Sequence, residues 1–355
     1  MKPTATAYLP RHFEFWPDDA VDLEPAKVAD LYANGFAGAY MDDAATEAFE
    51  SFINAQSFGS LDGSAVSHAN GIAGSGEGRL VIPFVFIEEM LLGCLPGPGQ
   101  ERGDCVSWGS KNACLTTLIC DIKSGKPDEE TGHVEGLPEI PAAGVKNGAL
   151  SSEAIYWYRG YNGDGWQCEK AAQVVCQESA IWIRKPYPDL DIDLTKYSGG
   201  LAGKYGAKSP PAKITEAGRK HLIRTSTRLK SFEEVRDFLA NGYGISTCGG
   251  EGFSSTRDKN GVSKRKGSWS HAMAYIGADD RDEIKKEYGE PLVLIQNSWG
   301  KFNNGPRRIL GTTIDIPEGS FWATWPDVSR RSMLAFSGAN GFPAKKLPAF
   351  NFSVG

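Results

Sequence analysis

The stretch LVLIQNSWGKF, residues 292–302, constrains the fold more than any other part of the chain. Its apolar, β-favouring run passes through Gln296 into an asparagine, a serine, a tryptophan and a glycine, so a buried strand carries a side-chain amide to its mouth with an indole beside it. A second run, SHAMAYIGADD (270–280), starts a strand at His271 and closes on the turn-prone ADDRDE. If the two pair antiparallel, the first residue of one stands opposite the last of the other, which sets His271 beside Asn297. Asn297 would then accept a hydrogen bond from one ring nitrogen, fix the tautomer and leave the other nitrogen aimed at a third group, while Trp299 keeps water off that bond. Either residue alone reads as a turn cap or a core histidine, so a suitable third group decides for a site.

Cysteine supplies that group. The chain has seven, at 94, 105, 114, 120, 168, 176 and 248. An odd number without a CxxC pair argues against a fully paired disulfide framework and against a zinc site, and leaves at least one thiol free. An ordinary thiol, with pKa about 8.5, is mostly protonated at neutral pH; a helix N-terminus or a nearby imidazolium is needed to favour the thiolate. CVSWGSKNACLTTLICDI (105–122) places Val106, Ala113, Leu118 and Ile122 near helical spacing, which predicts a helix with one buried face and Cys105 in its first turn. The other cysteines, Cys248 in a glycine-rich strand end among them, read as small buried hydrophobes.

The 355 residues, 41% hydrophobic and 23% charged, fit a soluble globular chain of one large or two modest domains. No stretch reaches the roughly 18 apolar residues of a membrane span, so no membrane partner is expected. The first residues, MKPTATAYLPRHFEFWPDD, lack the apolar core of a secretory signal, which points to a cytoplasmic protein. A net charge of −6 without long acidic runs argues against a nucleic-acid partner, and the basic SKRKG (263–267) reads as a solvated loop.

Along the chain, EPAKVADLYANG and DDAATEAFESFINA predict helices, and a Gly/Ser-rich linker runs from 57 to 78. Within it, GSGEG is a weak phosphate-loop candidate without a following GK[ST]. RLVIPFVFIEEMLL reads as a strand broken or forced to an edge by Pro83. Helical stretches follow a polar loop at 123–150. GGLAGKYGAKSPPAKITEAG (199–218) reads as a connector, and SFEEVRDFLANG as a helix capped by Ser231 with Glu234 three residues on. Strands dominate from there to about 328.

GDCVSWGSKNA, SHAMAYIGAD and LIQNSWG, in that order, resemble the three signature segments of papain-like cysteine peptidases across about residues 95–328. The resemblance implies an α+β, papain-like two-subdomain fold: residues 1–79 as N-terminal extension and linker, 80–330 as the peptidase domain, with a helical half at about 95–198 and a β-rich half at about 219–330, and 331–355 as a tail. It implies Cys105 as nucleophile, His271 as general base and acid, Asn297 as orienter and Gln100 as oxyanion donor. Gln100 precedes Cys105 by five positions where the family usually has six. It also implies a substrate-binding set of Gly148, Ala149 and Trp299, with an alanine replacing the family's second glycine, and a structural role for Tyr187. Arg102 stands where the family has a disulfide cysteine, and KFNNGPRR (301–308) departs from its pattern. Residues 1–90 show no propeptide-like pattern.

The activity implied is hydrolysis of a peptide or protein substrate without cofactor or metal. The alternative is a papain-fold structural or binding module with protein partners in a larger assembly, for example a virus particle. Acyl transfer by the same triad is a third reading, disfavoured because such enzymes place Asp where Asn297 stands and lack NSWG.

Overall fold

The computed structural model describes residues 74–124, 140–178, 181–219 and 223–338, together with the backbone of Ala39–Tyr40. The first part of the chain is mainly helical. Strands β1 (Ala39–Tyr40) and β2 (Leu80–Val81) precede α1 (Phe84–Met90), α2 (Cys105–Ser124), α3 (Ala142–Lys146) and α4 (Ser152–Tyr156). Then come β3 (Trp166–Gln167), α5 (Cys168–Gln177), the antiparallel pair β4 (Pro186–Tyr187) and β5 (Ile192–Asp193), α6 (Gly199–Gly206) and α7 (Ala212–Gly218).

The second part is built on a seven-stranded antiparallel sheet. Its members are β6 (Ser226–Leu229), β7 (Ile245–Phe253), β8 (Arg265–Asp279), β9 (Leu292–Gln296), β10 (Ser320–Thr324) and β11 (Ser332–Phe336), in the order β10-β9-β8-β7-β11-β6, with β2 paired to the end of β8. Helices α8 (Phe232–Ala240), α9 (Asp282–Tyr288) and α10 (Trp325–Val328) lie between the strands. In α8 the Ser231 hydroxyl accepts from the Glu234 amide at 3.2 Å, the expected cap.

Helix α2 joins the two parts. It packs on β8, β7 and β11 on one side and on α1, α4 and α5 on the other. The sequence predicts one buried face, whereas every residue from Cys105 to Thr117 is buried. A helix enclosed on all sides needs small or apolar residues all round, and its polar ones must find partners inside. Thr117 does so by donating its hydroxyl to the Phe336 carbonyl at 3.0 Å and accepting from the Gly244 amide at 2.9 Å.

Several expectations change. The strand read at RLVIPFVFIEEMLL is only β2; Pro83 then sits at the cap of α1, where its missing N–H costs nothing. The connector at 199–218 is α6 and α7, the first started by Ser198 accepting from the Leu201 amide at 3.1 Å, a cap that offsets its glycines. Strand β8 begins six residues before His271: Arg265 pairs with Phe253, so the basic stretch read as a loop lies on a ribbon, with Lys264, Arg265 and Lys266 exposed. The tail drawn at 331 contains β11, which lies inside the sheet between β7 and β6. The helices expected before residue 57 and most of the linker lie outside the described residues. In GSGEG, the Gly76 amide donates to Asp237 at 3.0 Å and the Gly78 amide to Asp280 at 2.8 Å, so carboxylates of the protein itself occupy the amides a phosphate would need.

Cys168 and Cys248 form a disulfide between the start of α5 and β7. Both had read as inert hydrophobes; no spacing rule pairs cysteines 80 residues apart.

Candidate active site

Glycines let α2 approach the sheet. A Cβ on Gly109 would lie 2.8 Å from the Met273 carbonyl oxygen of β8, and one on Gly244 only 2.0 Å from the Ala113 carbonyl oxygen of α2. With those contacts closed, the first residue of α2 rests on β8, where the Ala272 amide donates to Cys105 Sγ at 3.4 Å.

His271 precedes Ala272, and its Nε2 lies 2.8 Å from Asn297 Oδ1. The same oxygen accepts from the Ser298 amide at 2.7 Å. An oxygen in that position is an acceptor, so Nε2 carries the hydrogen and Nδ1 is the basic nitrogen of the neutral ring. Among the described residues Nδ1 has no hydrogen-bond partner. The Trp299 ring stacks on His271 with centroids 4.4 Å apart and planes inclined by 23°, and Trp269 meets Trp299 edge-on at 4.7 Å. A bulge in the β7–β8 ladder, between Gly249↔His271 and Glu251↔Ser268, falls where His271 leaves the regular register.

Cys105, His271 and Asn297 are fully buried. Burial pushes the thiol well up from its ordinary value, and the Ala272 amide only partly offsets this. Burial likewise pulls the His271 imidazole down, to about 3, against the opposing effect of the hydrogen bond it donates to Asn297. In this closed arrangement the proton belongs on sulfur and the ring is neutral. Asp104, just before α2, is also driven well above the carboxylate range by burial, while the Tyr197 hydroxyl donates to its Oδ2 at 3.1 Å.

Gln100 is stapled to the segment after Asn297. Its amide N–H donates to the Ser298 carbonyl at 2.7 Å, its Oε1 accepts from the Ser298 hydroxyl, and its Nε2 donates to the Arg102 carbonyl at 2.6 Å. Gly148 and Ala149 have their backbone groups engaged. Their amides donate to Val145 and Gly144, the Ala149 carbonyl accepts from the Arg184 amide at 2.8 Å, and the Gly148 carbonyl accepts from Lys111 Nζ at 3.1 Å. An extended peptide binding there has to displace these bonds. Ala149 has φ 61°, so the position keeps a glycine-like conformation under an alanine, at about 1–2 kcal/mol. Tyr187 donates to the Ile183 carbonyl at 3.0 Å and packs edge-on against Trp182.

Sequence reasoning missed Arg331, whose fully buried guanidinium donates to the His271 carbonyl at 2.7 Å. Its setting, VSRRSM, carries no signal separating it from a surface arginine. Among the described residues no group of His, Cys, Asp and Glu is arranged to hold a metal.

The sulfur of Cys105, at the start of a central helix, thus rests on the strand that carries His271, through the Ala272 amide, while the His271 ring is held by Asn297 beyond the end of the next strand. The fold is α+β, a mainly helical part and a seven-stranded antiparallel sheet joined by α2. Among solved structures, the chain is similar to xylellain, a cysteine protease from Xylella fastidiosa, at 15% identity over 86% of this chain and 96% of that one, with TM-score 0.44. It is similar to the Amb a 11 cysteine protease of ragweed pollen in its proform, at 11% identity over 86% and 77%, TM-score 0.44. Procathepsin B S9 from Trypanosoma congolense follows at 10% identity over 88% of each chain, TM-score 0.41. No protein-family model and no curated protein matches the chain.

Proposed function

We propose that the chain is a cysteine peptidase acting through Cys105, His271 and Asn297. The observation that carries this reading is the junction at His271–Ala272: the ring is held by Asn297 at 2.8 Å while the next amide holds the Cys105 sulfur at 3.4 Å. His271 Nδ1 takes the thiol proton as sulfur forms a bond to the substrate carbonyl carbon. The oxyanion meets the Cys105 backbone amide and the Gln100 side chain, and Nδ1–H protonates the leaving amine. Water, deprotonated by the same nitrogen, then hydrolyses the thioester. Asn297 keeps Nε2–H pointed away from sulfur throughout.

The complete burial of the three side chains favours a second reading, a structural or binding module of a larger assembly. An irreversible peptidyl thiol-reactive probe separates the two, with the modified site read by mass spectrometry in the wild type, Cys105→Ala and His271→Ala. Labelling confined to Cys105 and lost without His271 is expected of the peptidase. Absence of such labelling in the full chain, and in a chain shortened before residue 74, favours the module.

A further inference from the structure

Resting on that reading, we infer that Arg331 is a positioning residue for the nucleophile, acting on Cys105 through the His271–Ala272 peptide. Its guanidinium donates to the His271 carbonyl at 2.7 Å, and the N–H at the other end of the same peptide unit donates to Cys105 Sγ at 3.4 Å. A cation on the carbonyl draws electron density from the amide and makes the N–H a stronger donor, as in any chain of hydrogen bonds that polarise one another. At buried groups such as these the field is weakly screened. The chain guanidinium, peptide, sulfur therefore favours negative charge on the sulfur, the state burial opposes.

The fold makes room for this contact. Gly249 pairs with His271, and a Cβ on it would stand 2.6 Å from Arg331 Cγ and 2.5 Å from Glu251 Oε2. Any larger residue would close the passage by which the arginine crosses β7. The guanidinium also holds the bulge together, through Thr247 Oγ1 at 3.2 Å and the Glu251 carbonyl at 3.2 Å, so a purely structural role is the competing account.

The charged and titratable groups facing the pair are Glu251 on β7, 3.4 Å from the guanidinium, Tyr275 on β8, the His271 ring, and Asp104 before α2. Arg331 lowers the pull of the sulfur for its proton, and it also disfavours a positive His271. Its predicted signature is thus on the thiol limb of the pH profile.

The test is the rate of carboxamidomethylation of Cys105 by iodoacetamide across pH 4–10, on the full chain, with folding checked by near-ultraviolet circular dichroism. Arg331→Gln is expected to move the thiol limb up by about one pH unit, a roughly tenfold loss of rate at pH below it, with Arg331→Lys in between. Glu251→Gln, which leaves the guanidinium on the His271 carbonyl, should move the limb down, and it remains informative if Arg331→Gln does not fold. Lower stability with an unmoved limb in these variants would overturn the inference in favour of a structural arginine. Loss of the peptidase reading looks different: the wild-type profile would then be insensitive to His271→Ala, whatever the arginine does to the limb.

Discussion

Replacing Gly109 by alanine tests whether close packing of α2 on β8 sets the reactivity of Cys105. The new methyl would stand 2.8 Å from the Met273 carbonyl oxygen and 3.2 Å from Ser246 Oγ, where ordinary contact begins near 3.4 Å. Relief requires α2 to retreat by about 0.6 Å, the gap between 2.8 Å and 3.4 Å. Gly109 and Cys105 are one helical turn apart, so the sulfur moves with it. Its 3.4 Å bond to the Ala272 amide would lengthen to about 4 Å, the outer limit for a sulfur acceptor. Overpacking costs about 1–3 kcal/mol, but removing a mid-helix glycine returns about 1 kcal/mol, so net stability should fall by no more than about 2 kcal/mol. Reactivity should suffer more, because a misplacement approaching 1 Å costs on the order of 100-fold. The assay pairs urea unfolding with the second-order rate of Cys105 labelling by a peptidyl probe at pH 7. A loss of about 10- to 100-fold in labelling with near-wild-type unfolding is expected. Unchanged labelling, or a loss fully explained by the unfolded fraction, would refute the coupling.

Asn297→Ala leaves the buried His271 Nε2 and Ser298 amide without their acceptor, and should lower stability by about 1–3 kcal/mol and probe labelling on the order of tenfold or more, read by urea midpoint and labelling rate. Cys168→Ser should cost about 4.5 kcal/mol, the chain-entropy value for closing an 80-residue loop, and reduction of the wild type should reproduce it in urea titrations. His271 is held down to about 3 when folded but takes a proton near 6.5 when unfolded. Its contribution is therefore intact above about pH 6.5 and lost as pH falls toward 3. Wild type and His271→Gln should accordingly converge in urea midpoint over that window, and parallel curves would count against the buried neutral imidazole.

That His271 and Asn297 lie on adjoining strand segments was legible because strand period acts over a few residues, but the pairing expected is not the one found: β8 begins at Arg265 and Gln296 stands opposite Ala274, so the His271 ring reaches Asn297 across an offset in the ladder. The cap at Ser231 was legible for the same local reason. What stayed hidden depends on contacts distant in the chain. Arg331 reaches His271 across β7 through the space left at Gly249, and Cys168 finds Cys248 only once α5 lies behind the sheet. Helix α2 misled because its apolar spacing described one face, whereas Thr117 and Lys111 on its other sides are buried with the Phe336 and Gly148 carbonyls as partners.

The sealing of Cys105 beneath α2 and β8 has a kinetic consequence. A reagent in solution cannot meet a sulfur with no exposed surface, so modification must wait for a transient opening. At low reagent the rate then rises in proportion to concentration, and at high reagent it levels off at the opening frequency itself. The same seal delays oxidation of the thiol by peroxide, and the protein keeps this sulfur in reserve until something prises the joint apart.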